Sequence, residues 1–291
     1  MREPGTTPQR FAIVSHPALP DAAPEAQRIA ATLTRLGAAD VAAASLYDET
    51  LRQRIQAREF DLLIAIGGDG TMLRAGHLGA PLGMPVLGIN AGRFGFLMEI
   101  DLGECENFIP RLLSAQFRLE DRMMLHARLE RDGRVLDSWE VLNEVVVCRG
   151  QPVRPIQIEA CVDGWPLASY VADGLIAATP TGSTAYALAA GGPIMPPEMR
   201  NILLIPLAPH LSVDRAVILD EDSQVEFILR GGFDPVLSVD GHAPVDVHAG
   251  DVVHICAADA PATFVRFQDA GYFYRNLTKY MKQNPAVEKR P

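Results

Sequence analysis

The chain has 291 residues, of which 48% are hydrophobic and 21% charged, and it carries a formal net charge of −10. That is enough chain for one large domain or two ordinary ones with a substantial core. The acidity argues against a non-specific hold on a nucleic-acid backbone, yet an anionic small molecule can still bind where loop amides and a few cations converge.

The opening stretch MREPGTTPQRFAIVSHPALP lacks the apolar core of a secretory signal, and no apolar run approaches the length of a membrane span. Cys105, Cys148, Cys161 and Cys256 form no Cys-x-x-Cys pair and no zinc spacing, which suits free thiols in a reducing compartment. The expectation is a soluble cytoplasmic protein with neither membrane nor nucleic acid as a partner.

Strand-like and helix-like segments alternate at first. RFAIVS (10–15) reads as a buried strand. PEAQRIAATLTRLG (24–37) has Ile29, Leu33 and Leu36 at helical spacing, with Pro24 suited to its start and Gly37 to its end. DVAAASL reads as a second strand, TLRQRIQAREF (50–60) as a helix, DLLIAIGG as a central strand and MPVLGIN (84–90) as another. This alternation implies a mostly parallel sheet covered by helices.

The pattern changes near residue 105. Beyond it come short β-rich runs, and Asp132-Gly133 and Asp163-Gly164 stand between two pairs of them as hairpin turns. The region from 216 to 267 continues with strands separated by Asp, Gly and Pro. A final helix is predicted over GYFYRNLTKYMKQNP, where Phe273, Leu277 and Met281 recur at helical spacing, and the tail AVEKRP is expected to fray.

One junction in the first part asks for a chemical explanation. The apolar run before it ends in Gly67-Gly68-Asp69-Gly70-Thr71, and helix formers follow from near Thr71. Glycines let a ligand approach the main chain, and the loop lies at the carboxyl end of a parallel strand, where open α/β sheets bind ligands. A helix N-terminus there favours an anion such as phosphate. A carboxylate beside phosphate is repelled unless it does chemistry. In phosphoryl transfer, Asp69 would accept or orient the proton of the attacking hydroxyl. Asp and Gly are also ordinary turn residues. The chain has no G-x-x-x-x-G-K-[ST] loop and no G-x-G-x-x-G fingerprint.

The pentapeptide resembles the signature shared by NAD kinases, diacylglycerol- and sphingosine-type lipid kinases and, more distantly, phosphofructokinases. Three further stretches resemble NAD kinases in particular. They are GINAGRFGFL (88–97), LNEVVV with Asn143 and Glu144, and DGLIAATPTGSTAYALAAGGPI (173–194). The resemblance implies transfer of the γ-phosphoryl group of ATP to the 2′-hydroxyl of the adenosine ribose of NAD, giving NADP. It implies Mg²⁺ held mainly by ATP phosphates and water, and a homodimer or homotetramer. It also implies an α/β N-terminal domain, an all-β C-terminal domain and a C-terminal helix packing back on the first. The domains expected are 1–105 with 270–291, and 106–269 as the NAD-binding part.

The resemblance assigns catalysis to Asp69 and phosphate binding to Gly67, Gly68, Gly70 and Thr71. Gly70 and Arg74 are expected near NAD, although Arg74 also reads as a plain helix cation. Asn143 and Glu144 are placed near a strand end, with Asn143 toward adenine and Glu144 toward ribose. Asp173 and Thr184, Ala185, Tyr186, Ala187, Leu188 and Ala189 are expected to line the NAD site. Ser183 or Thr184 is placed to cap a helix starting near Ala185. Arg154 is a candidate for a pyrophosphate or second-subunit contact, and also reads as a solvated loop cation. His242 stands where many relatives carry a Gln that contacts NAD. Asp240, His242, Asp246 and His248 are weighed as a metal cluster, but Asp240-Gly241 reads as a hairpin turn and no protein metal site is expected. Pro209 to Ala216 departs from the family pattern, so Leu211 and Val213 receive no role. A lipid kinase of the same superfamily and a non-catalytic NAD(P)-sensing module are the competing readings.

Overall fold

The computed structural model describes residues 5–92, 95–150, 154–210 and 213–282, with side chains of the last helix through 277. In chain order come β1 (Arg10–Ser15), α1 (Ala22–Arg35), β2 (Asp40–Ser45), α2 (Glu49–Gln56), β3 (Leu62–Gly67), α3 (Asp69–Gly79), β4 (Val86–Asn90), β5 (Ile100–Asp101), α4 (Cys105–Leu113) and β6 (Arg118–Arg122). Then follow β7 (Leu125–Arg131), β8 (Arg134–Val141), β9 (Glu144–Arg149), β10 (Ile156–Val162), β11 (Trp165–Ala172), β12 (Gly174–Ala178), α5 (Tyr186–Ala189) and β13 (Asn201–Leu207). The chain closes with β14 (Val217–Asp220), β15 (Val225–Gly231), β16 (Pro235–Val239), β17 (Val245–Asp246), β18 (Val252–Ala257), β19 (Ala262–Arg266) and α6 (Tyr272–Lys282).

Two compact units result, Met1–Asp121 with Ala262–Pro291, and Arg122–Pro261. The first holds a sheet in the order β2-β1-β3-β4-β19-β6, with β5 also beside β4. β1 runs parallel to β2 and β3, and β4 runs parallel to β3, β5 and β19. The central strands β1 and β3 are buried almost throughout, as their unbroken apolar runs require of a sheet covered on both faces. Ile29 and Leu33 of α1 pack into this core with Phe11, Ile13 and Ile64.

The unit boundaries differ from those drawn at 105 and 270. α4 belongs to the first unit because Cys105, Ile109 and Leu112 join its core, and the helix carries Pro110 within it. β19 belongs there because its five residues are all buried and it pairs with β4 rather than with the β-rich strands. α2 ends at Gln56, four residues before the expected end, and Arg58 takes a left-handed conformation at φ 59°. Met281 and the tail fall outside the described side chains.

The second unit is two antiparallel sheets, β11-β10-β15-β18-β7-β8 and β14-β13-β12-β9-β16-β17, enclosing one apolar core. Asp132-Gly133, Asp163-Gly164 and Asp240-Gly241 all have positive φ at both residues, as tight hairpin turns between twisted strands demand. Along β9, Val145 and Val147 enter the inter-sheet core while Val146 faces a second cluster with Ala187 of α5. Glu144 and Cys148 follow the period-two alternation onto the same face as Val146.

Candidate functional site

In the first unit the glycine turn is built by close packing. β3 ends at Gly67, Gly68 is extended at φ −120°, and α3 begins at Asp69, two residues before the expected start. A Cβ at Gly67 would lie 2.1 Å from Thr71 Oγ1, so glycine is required for Thr71 to fold over the strand end. Thr71 is buried and donates its amide to the Gly68 carbonyl at 2.9 Å. It thus shapes the turn rather than facing outward. A Cβ at Gly68 would meet nothing within 4 Å, and one at Gly70 only Arg74 Nη1 at 3.9 Å, so these two positions form the open face of the turn. Arg74 is exposed, its Nη1 lying 3.5 Å from the Gly70 carbonyl.

Asp69 is held from the other side. Phe96 N–H donates to its Oδ2 at 2.9 Å and Leu97 N–H to its Oδ1 at 3.0 Å. A Cβ at Gly95 would fall 2.1 Å from Asp69 Oδ1, so the approach depends on glycine there. Arg93 and Phe94 lie outside the described residues.

In the second unit Asn143 lies in the short link between β8 and β9 and Glu144 is the first residue of β9, so the pair stands at a strand end as expected. One carboxylate fixes the chain there. Asp240 accepts the amides of Leu142, Asn143 and Glu144 at 2.7, 2.8 and 2.9 Å. The Asp240-Gly241 turn, weighed above as part of a metal cluster, therefore clamps the Asn-Glu pair. His248 and Arg131 instead contact each other and Asp251. Among the described residues no three His, Cys, Asp or Glu side chains are grouped to hold a metal. His242 is exposed, in the same turn as Asp240, and donates its amide to the Val239 carbonyl at 2.8 Å.

Glu144 is 8% exposed, and its Oε2 has no hydrogen-bond partner among the described residues. Burial, reinforced by the nearby Asp240 charge and partly offset by the Tyr186 amide, raises its carboxyl from 4.5 to about 7. A carboxyl with this value changes charge near neutrality.

The segment 179–189 forms a tight loop against Asn143. Thr179 Oγ1 donates to the Leu142 carbonyl at 2.6 Å and accepts the Gly182 amide at 3.0 Å. A Cβ at Gly182 would lie 2.1 Å from the Asn143 carbonyl oxygen. The expected Ser183 or Thr184 cap is not made. Ser183 Oγ donates to the Pro180 carbonyl and accepts the Met195 amide, and Thr184 Oγ1 donates to the Thr181 carbonyl. Residues 182–184 form a 3₁₀ turn, and α5 starts at Tyr186 after Ala185, with no side-chain cap. Ala187 is fully buried, Leu188 half-buried, and Ala189 exposed.

Beside α5 opens a cleft of about 520 Å³, lined by Cys148, Arg149, Asp173, Tyr186, Ala189, Ala190, Leu207 and Ala208. Three of the expected residues, Asp173, Tyr186 and Ala189, meet here. Arg149 Nε lies 3.1 Å from Asp173 Oδ1 as an ion pair. Burial, with Cys148 and Asp173 nearby, raises the half-exposed Tyr186 phenol above its ordinary value. Arg154 is not among the lining residues; its guanidinium stacks 4.6 Å from the ring centre of exposed Phe233. Gln151 to Val153, Leu211 and Ser212 lie outside the described residues.

Residues 12–117 match the ATP-NAD kinase N-terminal domain, and residues 142–267 match the ATP-NAD kinase C-terminal domain. The chain belongs to the NAD kinase family. The NAD kinase of Heliobacterium modesticaldum is 40% identical over 234 residues, 80% of this chain and 82% of that protein. The NAD kinase of Dehalococcoides mccartyi is 32% identical over 277 residues, 95% of this chain and 97% of its own length. Among solved structures, an NAD kinase from Archaeoglobus fulgidus in complex with ATP is 29% identical, with a TM-score of 0.73 over 94% of this chain and 99% of that one. Yeast NADH kinase complexed with NADH shares the fold at 23% identity, with a TM-score of 0.84 over 98% and 91% of the two chains. These relatives speak for NAD kinase over the lipid-kinase and sensor readings.

Within this family frame, sequence reasoning missed the partners that hold the named residues. Phe96 and Leu97 lie inside the GINAGRFGFL match, but they act through backbone amides, which a side-chain reading does not see. Asp240 was visible as a turn residue and as a member of a possible metal cluster, not as the clamp on the Asn-Glu pair. Cys148, Arg149, Leu207 and Ala208 carry no motif; their signal is adjacency to Asp173 across paired strands, which appears only with the sheet register.

Proposed function

We propose that this NAD kinase family member uses Asp69 to take or orient the proton of the NAD 2′-hydroxyl as that oxygen bonds to the γ-phosphorus of ATP. The bond from that phosphorus to the bridging oxygen of ADP breaks in the same displacement, and NADP and ADP leave. The observation that carries this reading is the double amide grip on Asp69 at the start of α3, which fixes the plane of an acceptor-only carboxylate beside an open glycine turn. Gly68 and Gly70 leave room for phosphate oxygens at a helix N-terminus, with Gly67 and Thr71 shaping the turn and Arg74 adding positive charge.

In the second unit, Asn143 and Glu144 serve adenine and ribose recognition. Asp173, Tyr186 and Ala189 contribute to the NAD site from the cleft, with Thr184, Ala185 and Leu188 beside them and buried Ala187 acting through its main chain. His242 and Arg154 extend this nucleotide surface. Mg²⁺ would neutralise charge on the ATP phosphates, a role that needs no grouped protein carboxylates. The working form is a cytoplasmic homodimer or homotetramer. No described helix is long and apolar enough to cross a membrane.

The test is NADP formation from ATP, Mg²⁺ and NAD, followed with an NADP-specific dehydrogenase, for the parent and Asp69→Asn. Turnover by the parent and its near loss in a folded variant are expected. Undiminished turnover by Asp69→Asn would overturn the role of Asp69. EDTA should abolish activity and excess Mg²⁺ restore it, and sedimentation velocity reads the assembly.

A further inference from the structure

Leu97 connects Asp69 to a fully buried cation. Its amide donates to Asp69 Oδ1, and its carbonyl accepts Arg266 Nη1 at 3.2 Å. Arg266 ends β19 and is 0% exposed. Its Nη1 also reaches Glu99 Oε2 at 3.1 Å, and its Nε reaches Glu120 Oε1 at 3.1 Å. Glu99 Oε1 accepts the amides of Phe267 and Gln268 at 2.7 and 3.1 Å. Glu120 accepts the hydroxyl of Tyr272, the first residue of α6, and that ring lies 5.0 Å from the guanidinium carbon. Burial works against the Arg266 charge, but Tyr272, Glu120 and Glu99 outweigh it and hold the group above its ordinary value.

Two carboxylates and a guanidinium in a dry interior are a poor route to stability, since apolar side chains of similar volume often do as well or better. An apolar side chain cannot hold a carbonyl in place. That matters here because residues 95–97 lie in no helix or strand, so no backbone ladder sets where the Phe96 and Leu97 amides point.

We propose that Arg266 is a positioning residue for phosphoryl transfer. By anchoring the Leu97 carbonyl and Glu99, it fixes the segment whose amides orient the Asp69 carboxylate. Through Glu120 and Tyr272 it makes α6 part of that support. The inference rests on the reading of Asp69 given above.

The experiment is steady-state kinetics of Arg266→Gln, alone and combined with Asp69→Asn, on protein shown to be folded by near-ultraviolet circular dichroism. Arg266→Gln should lower kcat about 100-fold, the scale of a misplacement near 1 Å, while KM for ATP and NAD stays within about threefold. In the Asp69→Asn background the same change should leave the residual turnover unaltered, because the group being positioned is gone. Should Arg266→Gln not fold, the combined Arg266→Met, Glu99→Gln and Glu120→Gln variant leaves no buried charge unmatched and carries the same expectation. A folded variant with parental kcat, or one losing the same factor in both backgrounds, overturns the positioning role. Full turnover by Asp69→Asn alone overturns the Asp69 reading as well, so the two failures are distinct.

Discussion

Asp240 and Glu144 exchange a reciprocal pair of hydrogen bonds. Glu144 N–H donates to Asp240 Oδ1 at 2.9 Å, and Asp240 N–H donates to the Glu144 carbonyl at 3.0 Å. The same carboxylate also holds the amides of Leu142 and Asn143, so the hairpin turn sets the position of the Asn-Glu pair. Asp240 has φ 48°, a region that Asn adopts more readily than Ala. Asp240→Asn, keeping one acceptor oxygen, should cost about 1–2 kcal/mol of unfolding free energy, and Asp240→Ala, which strands three amides, two of them in buried hydrogen bonds, about 3 kcal/mol or more. Denaturant unfolding checks the order, and both variants should raise KM for NAD more than KM for ATP.

Glu144 makes stability depend on pH in an unusual direction for a carboxyl. Its folded value is about 7 against an ordinary 4.5, so between those limits the folded chain binds more protons than the unfolded chain. The contribution is fully present below pH 4.5 and is lost as pH rises through 7, roughly 3 kcal/mol at about 1.4 kcal/mol per pH unit. Glu144→Gln should therefore match the parent near pH 4 and exceed it by roughly that amount at pH 8, while binding NAD more weakly. Unfolding free energies of both proteins at the two pH values test this. A difference that does not grow with pH would show that Glu144 ionises freely in the fold.

Thr179 is fully buried and joins two loops through one hydroxyl, donating to the Leu142 carbonyl and accepting the Gly182 amide. Thr179→Val keeps the shape and removes both bonds, leaving a buried donor and acceptor unpaired. The expected loss is about 2 kcal/mol, read as a lower midpoint in urea at unchanged slope. Thr179→Ser, which retains the hydroxyl, should recover most of it.

The parts of this architecture that sequence shows well are those with a strong local cause. Three Asp-Gly turns sit where hairpins need positive φ, and the apolar run ending at Gly67 is a central strand. The errors arose where distant packing decides. α4 falls in the first unit because it buries Ile109 and Leu112 against the core of the first sheet, and β19 leaves the β-rich run because all five of its residues are buried beside β4. The candidate site was legible as side chains and not as supports. Asp69 and Glu144 stand in motifs, whereas the groups that hold them are amides of Phe96 and Leu97 and a carboxylate almost a hundred residues away.

Gly68 and Gly95 separate the two duties a glycine can have in this turn. Gly68 is extended, and a Cβ there meets nothing, so Gly68→Ala should fold with unfolding free energy within about 1 kcal/mol of the parent. Any effect must come from a ligand that needs the vacant space, and the expectation is a raised KM for ATP. Gly95→Ala puts a methyl 2.1 Å from Asp69 Oδ1, and the carboxylate, being the movable partner, should swing off the Phe96 and Leu97 amides. Its signature is then a fall in kcat of about 100-fold with KM little changed. Kinetics of the two variants side by side decide the matter. A Gly68→Ala enzyme with parental KM for ATP would remove phosphate from the open face of the turn, and a Gly95→Ala enzyme with parental kcat would show that the amide grip on Asp69 is dispensable.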